Sequence, residues 1–313
     1  MKNSWSIIGH QKQIEYLQNF ISNNQIAHAW LFVGPGKIGK TTVAKEFAKN
    51  LLCLDKKNEC DCDSCRSFTK NNHPDIKIIM SAKIQIKDIR KINKEVWQKP
   101  VLSKKTVVII KNVNSMNKEA ANAFLKTLEE PPSSTSFILI SQNAETLLET
   151  IISRCQMLRF TLVKKEDIKA SLKELNLLSD DTENKLKLCM GRPGLMLDML
   201  RNPKSYIAVE KIVKNFNYLS NSSVASKLVV LQKLAKEEKQ TIIKYLDIWI
   251  LYLRDIMNSK RKAKNIVVFK SLLDKEFEGK EAQELIKVLL RIKRNLLKTI
   301  NAKTSLELIS SKI

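Results

Sequence analysis

Eight consecutive residues, Gly34-Pro35-Gly36-Lys37-Ile38-Gly39-Lys40-Thr41, match GxxxxGK[ST] in full. The chemistry served by such a run is phosphate binding. Its glycines let backbone N–H groups turn inward around a β-phosphate, Lys40 reaches the β- and γ-phosphates, and the Thr41 hydroxyl can ligate Mg²⁺. Thr42 continues the cradle into the next element. Hydrolysis asks for more: an acid at a neighbouring strand end to hold the metal, and a carboxylate to position the attacking water. The obvious strand, Thr106-Val107-Val108-Ile109-Ile110, instead runs into Lys111-Asn112-Val113-Asn114. Lys111 can meet γ-phosphate charge, but neither it nor Asn112 can act as a base. The expectation is a loop that binds ATP or ADP without turning it over alone; the alternative is a relict loop that keeps its shape without a ligand.

A second constellation follows at once. Cys53, Cys60, Cys62 and Cys65 fall within thirteen residues. In a chain read as cytoplasmic, where disulfides are rare, four clustered thiolates suit a structural Zn²⁺ with no open ligand position. Cys155 and Cys189 read as ordinary buried thiols, and His10 and His28 as packing or pocket-rim residues without catalytic work.

The elements that must position these groups are legible around them. The apolar run Ala29-Trp30-Leu31-Phe32-Val33 predicts a buried strand feeding the loop, and Thr42 to Leu52 predicts the helix after it. Phe137-Ile138-Leu139-Ile140-Ser141 predicts another strand. From Pro203 onward the periodicity is helical, as in Ile242-Ile243-Tyr245-Leu246-Trp249-Ile250-Leu253, a stripe read mostly as core; Leu285 to Leu308 predicts one or two further amphipathic helices.

Composition bounds the rest. The chain has 313 residues, room for two or three modules, and with 43% hydrophobic and 28% charged residues it reads as folded and largely helical. No apolar segment is long enough to predict a membrane span or an export signal, hence a cytoplasmic, non-membrane protein. The net charge of +23 would suit DNA, but the lysines are spread along the whole chain, which equally fits a bias of composition. Glycine says more: of seven, three lie in the phosphate loop and two flank Arg192-Pro193 as Gly191 and Gly194.

The run Ala120-Ala121-Asn122-Ala123-Phe124-Leu125-Lys126-Thr127-Leu128-Glu129-Glu130-Pro131-Pro132, the strand after it, and Ser153-Arg154-Cys155 together resemble the clamp-loader branch of the AAA+ family, shared by gamma/tau and delta-prime subunits of DNA polymerase III. Ile8-Gly9-His10, Asn72-His73-Pro74-Asp75, Gly191-Arg192-Pro193-Gly194 and the ending Asn301 to Leu308 agree with it. The resemblance implies an α/β RecA-like P-loop (AAA+) domain over 1–161, with a zinc module at 53–65, then a small helical lid over 162–202 and an all-α oligomerisation collar over 203–313.

It further implies that Arg154 is an arginine finger entering the ATP site of an adjacent subunit, the alternative being a surface ion-pair residue. Arg192 would touch the chain's own nucleotide as a sensor 2 residue, or serve only a turn. The family spaces its last three cysteines CxxCxxC, whereas Cys60-Asp61-Cys62-Asp63-Ser64-Cys65 is CxCxxC, leaving water or His73 as an alternative fourth ligand.

Loss of both acids beside a kept SRC is the pattern implied for delta-prime. Such a subunit works with gamma/tau and delta chains to load the sliding clamp on primed DNA, and shares in DNA-directed DNA polymerase (nucleotidyltransferase) activity only by association. A self-sufficient gamma/tau-type ATPase using Glu129 or Glu130, and a plain DNA-binding protein, are the rival readings.

Overall fold

The computed structural model describes residues 5, 7–23, 25–55, 60–81, 83–179, 181–202, 204–260, 279–297 and 302–310. Pro203 and Asn301, which open the expected collar and the family-like ending, lie outside the described residues. The chain divides into two compact units, Met1–Ser179 with Cys189–Leu195, and Asp180–Leu188 with Met196–Ile313.

The first unit runs α1 (Gln11–Ser22), β1 (Ala29–Val33), α2 (Lys40–Leu52), α3 (Asp63–Thr69), β2 (Ile76–Ile79), α4 (Ile86–Glu95), β3 (Thr106–Lys111), α5 (Lys118–Glu129), β4 (Thr135–Ser141), α6 (Glu149–Ile152), β5 (Gln156–Arg159) and α7 (Lys165–Glu174). Its five strands form one parallel sheet in the order β2-β3-β4-β1-β5. The inner strands β1 and β4 are buried at every position, as expected of unbroken apolar runs covered by helices on both faces.

Side-chain alternation sorts those strands into two layers. Trp30, Phe32, Val107, Ile109, Ile138 and Ile140 pack with Val43, Ala44 and Phe47 of α2. Leu31, Val33, Val108, Ile110, Phe137 and Leu139 pack instead with α4 and α5 through Ile89, Ile92, Phe124 and Leu128. Register pairs Val33 with Ser141 and Lys111 with Ile140, so the C-terminal ends of β1, β3 and β4 share one edge. In open α/β sheets this is the edge that binds ligands, at the strand where the order reverses. That strand is β1, between β4 and β5.

The second unit is helical among its described residues: α8 (Thr182–Leu188), Met196 to Arg201 of α9 (Pro193–Arg201), α10 (Lys204–Ser220), α11 (Val224–Ala235), α12 (Lys239–Lys260), α13 (Gly279–Leu297) and α14 (Ala302–Ser310). Helix α12 packs on α10 and α13, and α11 on α14. Ile242, Leu246, Trp249 and Leu253 are buried, so this stripe is core. The Trp249 indole N–H donates to the Ile212 carbonyl at 3.1 Å, and Phe216 lies against the rings of Trp249 and Tyr252. Among the described residues no helix is long and apolar enough to cross a membrane.

Candidate functional site

The phosphate-type loop leaves β1 through a gap only glycine can use. A Cβ at Gly34 would lie 2.4 Å from the Phe160 carbonyl oxygen. At its far end Gly39 has φ 107, a left-handed conformation, and α2 begins at Lys40 itself, two residues earlier than the sequence predicts. Lys40 is 6% exposed, and its ammonium donates to the carbonyls of Gly34 at 2.5 Å and Pro35 at 2.7 Å. Burial pushes Lys40 down to about 8, and the charge of Lys111 adds to the shift.

Two outside groups brace the loop. His10 Nε2 lies 2.7 Å from the Ile38 carbonyl, which can only accept, so the ring carries its proton on Nε2. Burial lowers the His10 pKa, the Ile38 bond opposes that, and the Lys40 charge lowers it further. From the other side, the Gly194 N–H donates to the Lys37 carbonyl at 2.9 Å, and a Cβ there would meet that oxygen at 2.7 Å. This contact seats Gly191-Arg192-Pro193-Gly194 against the loop. Thr41 and Thr42 occupy the first turn of α2, above the same loop.

Strand ends complete the surroundings. Lys111 follows Val107 and Ile109 on the α2 face of β3, and Asn112 then turns the chain away with φ 58. A Cβ on Gly36 would lie 3.6 Å from Gln142 Nε2, so Gln142, just past β4, borders the loop. Sequence reasoning singled out neither Gln142 nor the bracing role of His10. The available signal was a polar residue directly after a buried strand, and a histidine beside Gly9.

Arg154 stands elsewhere. Ile151 of α6 packs in the α4 and α5 layer, so the turn carrying Arg154 belongs to the sheet face opposite α2. Its guanidinium donates to Glu129 Oε1 at 2.7 Å, to the Thr150 carbonyl at 3.0 Å and to Ser153 Oγ at 3.4 Å. Its side chain remains 34% exposed. Glu129, at the end of α5, holds the arginine and is not turned to the phosphate loop.

The four cysteines gather where α2 ends. Cys53 caps α2, Cys62 precedes α3, and Cys65 lies in its first turn. The sulfurs of Cys53, Cys60, Cys62 and Cys65 all lie within 4.8 Å of one another. Tetrahedral zinc with Zn–S near 2.3 Å would set neighbouring sulfurs ~3.8 Å apart, so a small contraction completes such a site. Burial alone would raise the Cys62 thiol, but the backbone N–H groups of Cys65 and Leu54, with the Cys60 and Cys65 thiols, hold it down to about 6. At Cys62 these N–H groups favour the thiolate a metal needs, whereas Cys60 is raised to about 11 and burial pushes the Cys65 thiol up.

The CxCxxC spacing thus still delivers Cys60 to the cluster, and His73 is committed elsewhere. Its Nδ1 accepts the Asp75 N–H at 3.1 Å and its Nε2 faces Ser64 Oγ at 2.9 Å. Ser64 and Ser103 hydroxyls both donate to the Leu52 carbonyl, and the Asp75 carboxylate accepts the N–H groups of Val101, Leu102 and Ser103 at 2.6–2.8 Å. This network ties the cysteine module to the end of α2 and the start of β2.

A glycine-rich loop between β1, an inner strand of the parallel β2-β3-β4-β1-β5 sheet, and a helix, followed by further helices, defines a P-loop α/β protein. The family described as "DNA polymerase III, delta subunit" matches residues 9–164. The chain is 31% identical over 210 residues to DNA polymerase III subunit delta' of Bacillus subtilis, covering 66% of this chain and 64% of that protein. It is 30% identical over 224 residues to subunit tau/gamma of Haemophilus influenzae, covering 69% of this chain and 32% of that one. The chain therefore spans between a third and two thirds of the length of these relatives. A crystal structure of a gamma subunit-related protein from Thermotoga maritima aligns over 96% of this chain and 97% of its own, at 19% identity and a TM-score of 0.47. The chain belongs to the clamp-loader family of DNA polymerase III subunits.

Proposed function

We propose that the chain is a delta-prime-type clamp-loader subunit. With gamma/tau and delta chains it helps place the sliding clamp on primed DNA; it holds ATP or ADP without hydrolysing it, and it lends Arg154 to the ATP site of an adjacent subunit. The observation that carries this reading is a complete phosphate loop faced by Lys111 and Asn112 where hydrolysis needs carboxylates. Arg154 supports it from the opposite layer: an exposed guanidinium, propped by Glu129 and two further acceptors, is suited to meet γ-phosphate charge on another molecule.

Gly34 to Thr42 would cradle the nucleotide, with Arg192 approaching it from the segment that Gly194 seats on the loop. The four cysteines fit zinc by donor type and by their mutual distances; the metal would staple a segment too small for its own core. Residues 1–161 would form the P-loop domain, 162–202 the lid and 203–313 the collar.

The second reading, a gamma/tau-type ATPase, draws on relatives named gamma and tau at similar identity. It would need Glu129 or Glu130 as its carboxylate; Glu129 is engaged with Arg154, and Glu130 is exposed at the C-cap of α5. The deciding experiment measures DNA- and clamp-stimulated ATP hydrolysis by the reconstituted loader carrying wild-type chain or Arg154→Ala, with assembly verified. A fall of ~10³-fold or more is expected, the size of an arginine-finger effect. An unchanged rate with assembly intact overturns the trans role, and turnover by the isolated chain favours the gamma/tau reading.

A further inference from the structure

We infer that this phosphate loop binds its nucleoside di- or triphosphate without a divalent cation, the Lys111 ammonium on the α2 face of β3 standing in for the metal. The inference rests on the nucleotide-binding reading and deepens it. Mg²⁺ at a P-loop is held by the loop Ser or Thr together with an acid from a neighbouring strand, since this small ion keeps several waters and takes one or two carboxylates with the phosphates. Thr41 supplies the first group here. No residue at the adjoining strand ends supplies the second: β1 ends in Val33-Gly34, β3 in Lys111-Asn112, and β4 in Ser141-Gln142-Asn143. Glu145, further on, is exposed and receives the Asn143 amide.

Placement makes the substitution more than a missing acid. Val107 and Ile109 pack in the α2 layer, so strand alternation puts Lys111 on that face, at the edge where the loop lies. The chain turns off at Asn112, leaving Lys111 as the last residue of β3 to reach this edge. Lys40 feels the Lys111 charge, so the two ammonium groups are near enough to repel one another. An anion satisfies both at once, whereas Lys111, standing where an acid would attract a divalent cation, repels it. Polyphosphate charge normally neutralised by Mg²⁺ would be met by Lys40 and Lys111.

The test titrates the full-length chain with fluorescent ADP and ATP analogues, in buffer freed of magnesium by chelating resin and again with millimolar Mg²⁺. Resin treatment of the buffer alone leaves a cysteine-bound metal in place, which soluble EDTA would not. Wild-type affinity is expected to be the same within about twofold in both buffers. Lys111→Gln should weaken binding about tenfold in each, and Lys111→Asp should bind at least about tenfold more tightly with Mg²⁺ present than without it. Circular dichroism melting checks that each variant is folded. Wild-type binding that tightens tenfold with Mg²⁺, or that is indifferent to Lys111→Gln, overturns the inference while leaving nucleotide binding intact. An absence of binding in both buffers, with Lys40→Ala indistinguishable from wild type, overturns the nucleotide reading beneath it.

Discussion

At the scale of single residues, two side chains are held by partners that also set how they respond to perturbation. Arg154 has three acceptors from its own chain, of which only Glu129 is charged. Glu129→Ala should leave the arginine present but less fixed, lowering loader ATPase by about tenfold, well short of the loss from Arg154→Ala; steady-state rates of the two assembled variants check the ranking. Lys40 is pushed down to about 8 by burial and then by Lys111. A bound phosphate favours its ammonium, so nucleotide binding above pH 8 should take up a proton, and affinity should fall as pH rises through that value. Calorimetry in two buffers of different ionisation enthalpy reads the proton directly. For folding without nucleotide the sign is opposite: the unfolded chain binds more protons between about 8 and 10.5, so stability rises across that window. Lys40 and the cysteines could be singled out from sequence because local spacing marks them, and Arg154 because Ser153-Arg154-Cys155 carries the family resemblance. The contacts of His10, Gln142 and Glu129 could not be read, because their partners lie 28, about a hundred and 25 positions away along the chain.

At the scale of elements, the cysteine module and the segment behind it form one unit of polar chemistry. Zinc analysis by mass spectrometry should find one equivalent per chain, and Cys65→Ser should lose it together with several degrees of melting temperature, since metal binding contributes to folding. Asp75 is 3% exposed and receives three backbone N–H groups. Asp75→Ala leaves those donors without the carboxylate and should cost about 3 kcal/mol or more, measurable by urea unfolding. The strands were legible because an apolar run bounded by turn residues has few other fates. The start of α2 was misread by two residues because Gly39 admits a left-handed turn straight into the helix. The network of Ser64, His73, Asp75 and Ser103 was invisible in sequence, since Asn72-His73-Pro74-Asp75 carries no mark of which loop it will grip.

At the scale of the whole molecule, fold class was readable because the phosphate loop, its strand and its helix are contiguous. Net charge of +23 is a weak guide to partners when the lysines are dispersed. The isolated chain is expected to bind DNA only in the salt-sensitive, non-specific range of about 10⁻⁴ to 10⁻⁶ M, checked by fluorescence anisotropy at two ionic strengths. Strand order has a consequence of another kind. β1 pairs with β4 and β5, and its last partner, Arg159, is 126 residues beyond Val33. At roughly 5–20 residues per second, a ribosome needs about 6–25 s to deliver the strands that flank β1. Until Ser141 completes β4, most of that interval, the apolar segment Ala29–Val33 has no partner strand, so on the nascent chain this stretch is a natural client for a holding chaperone.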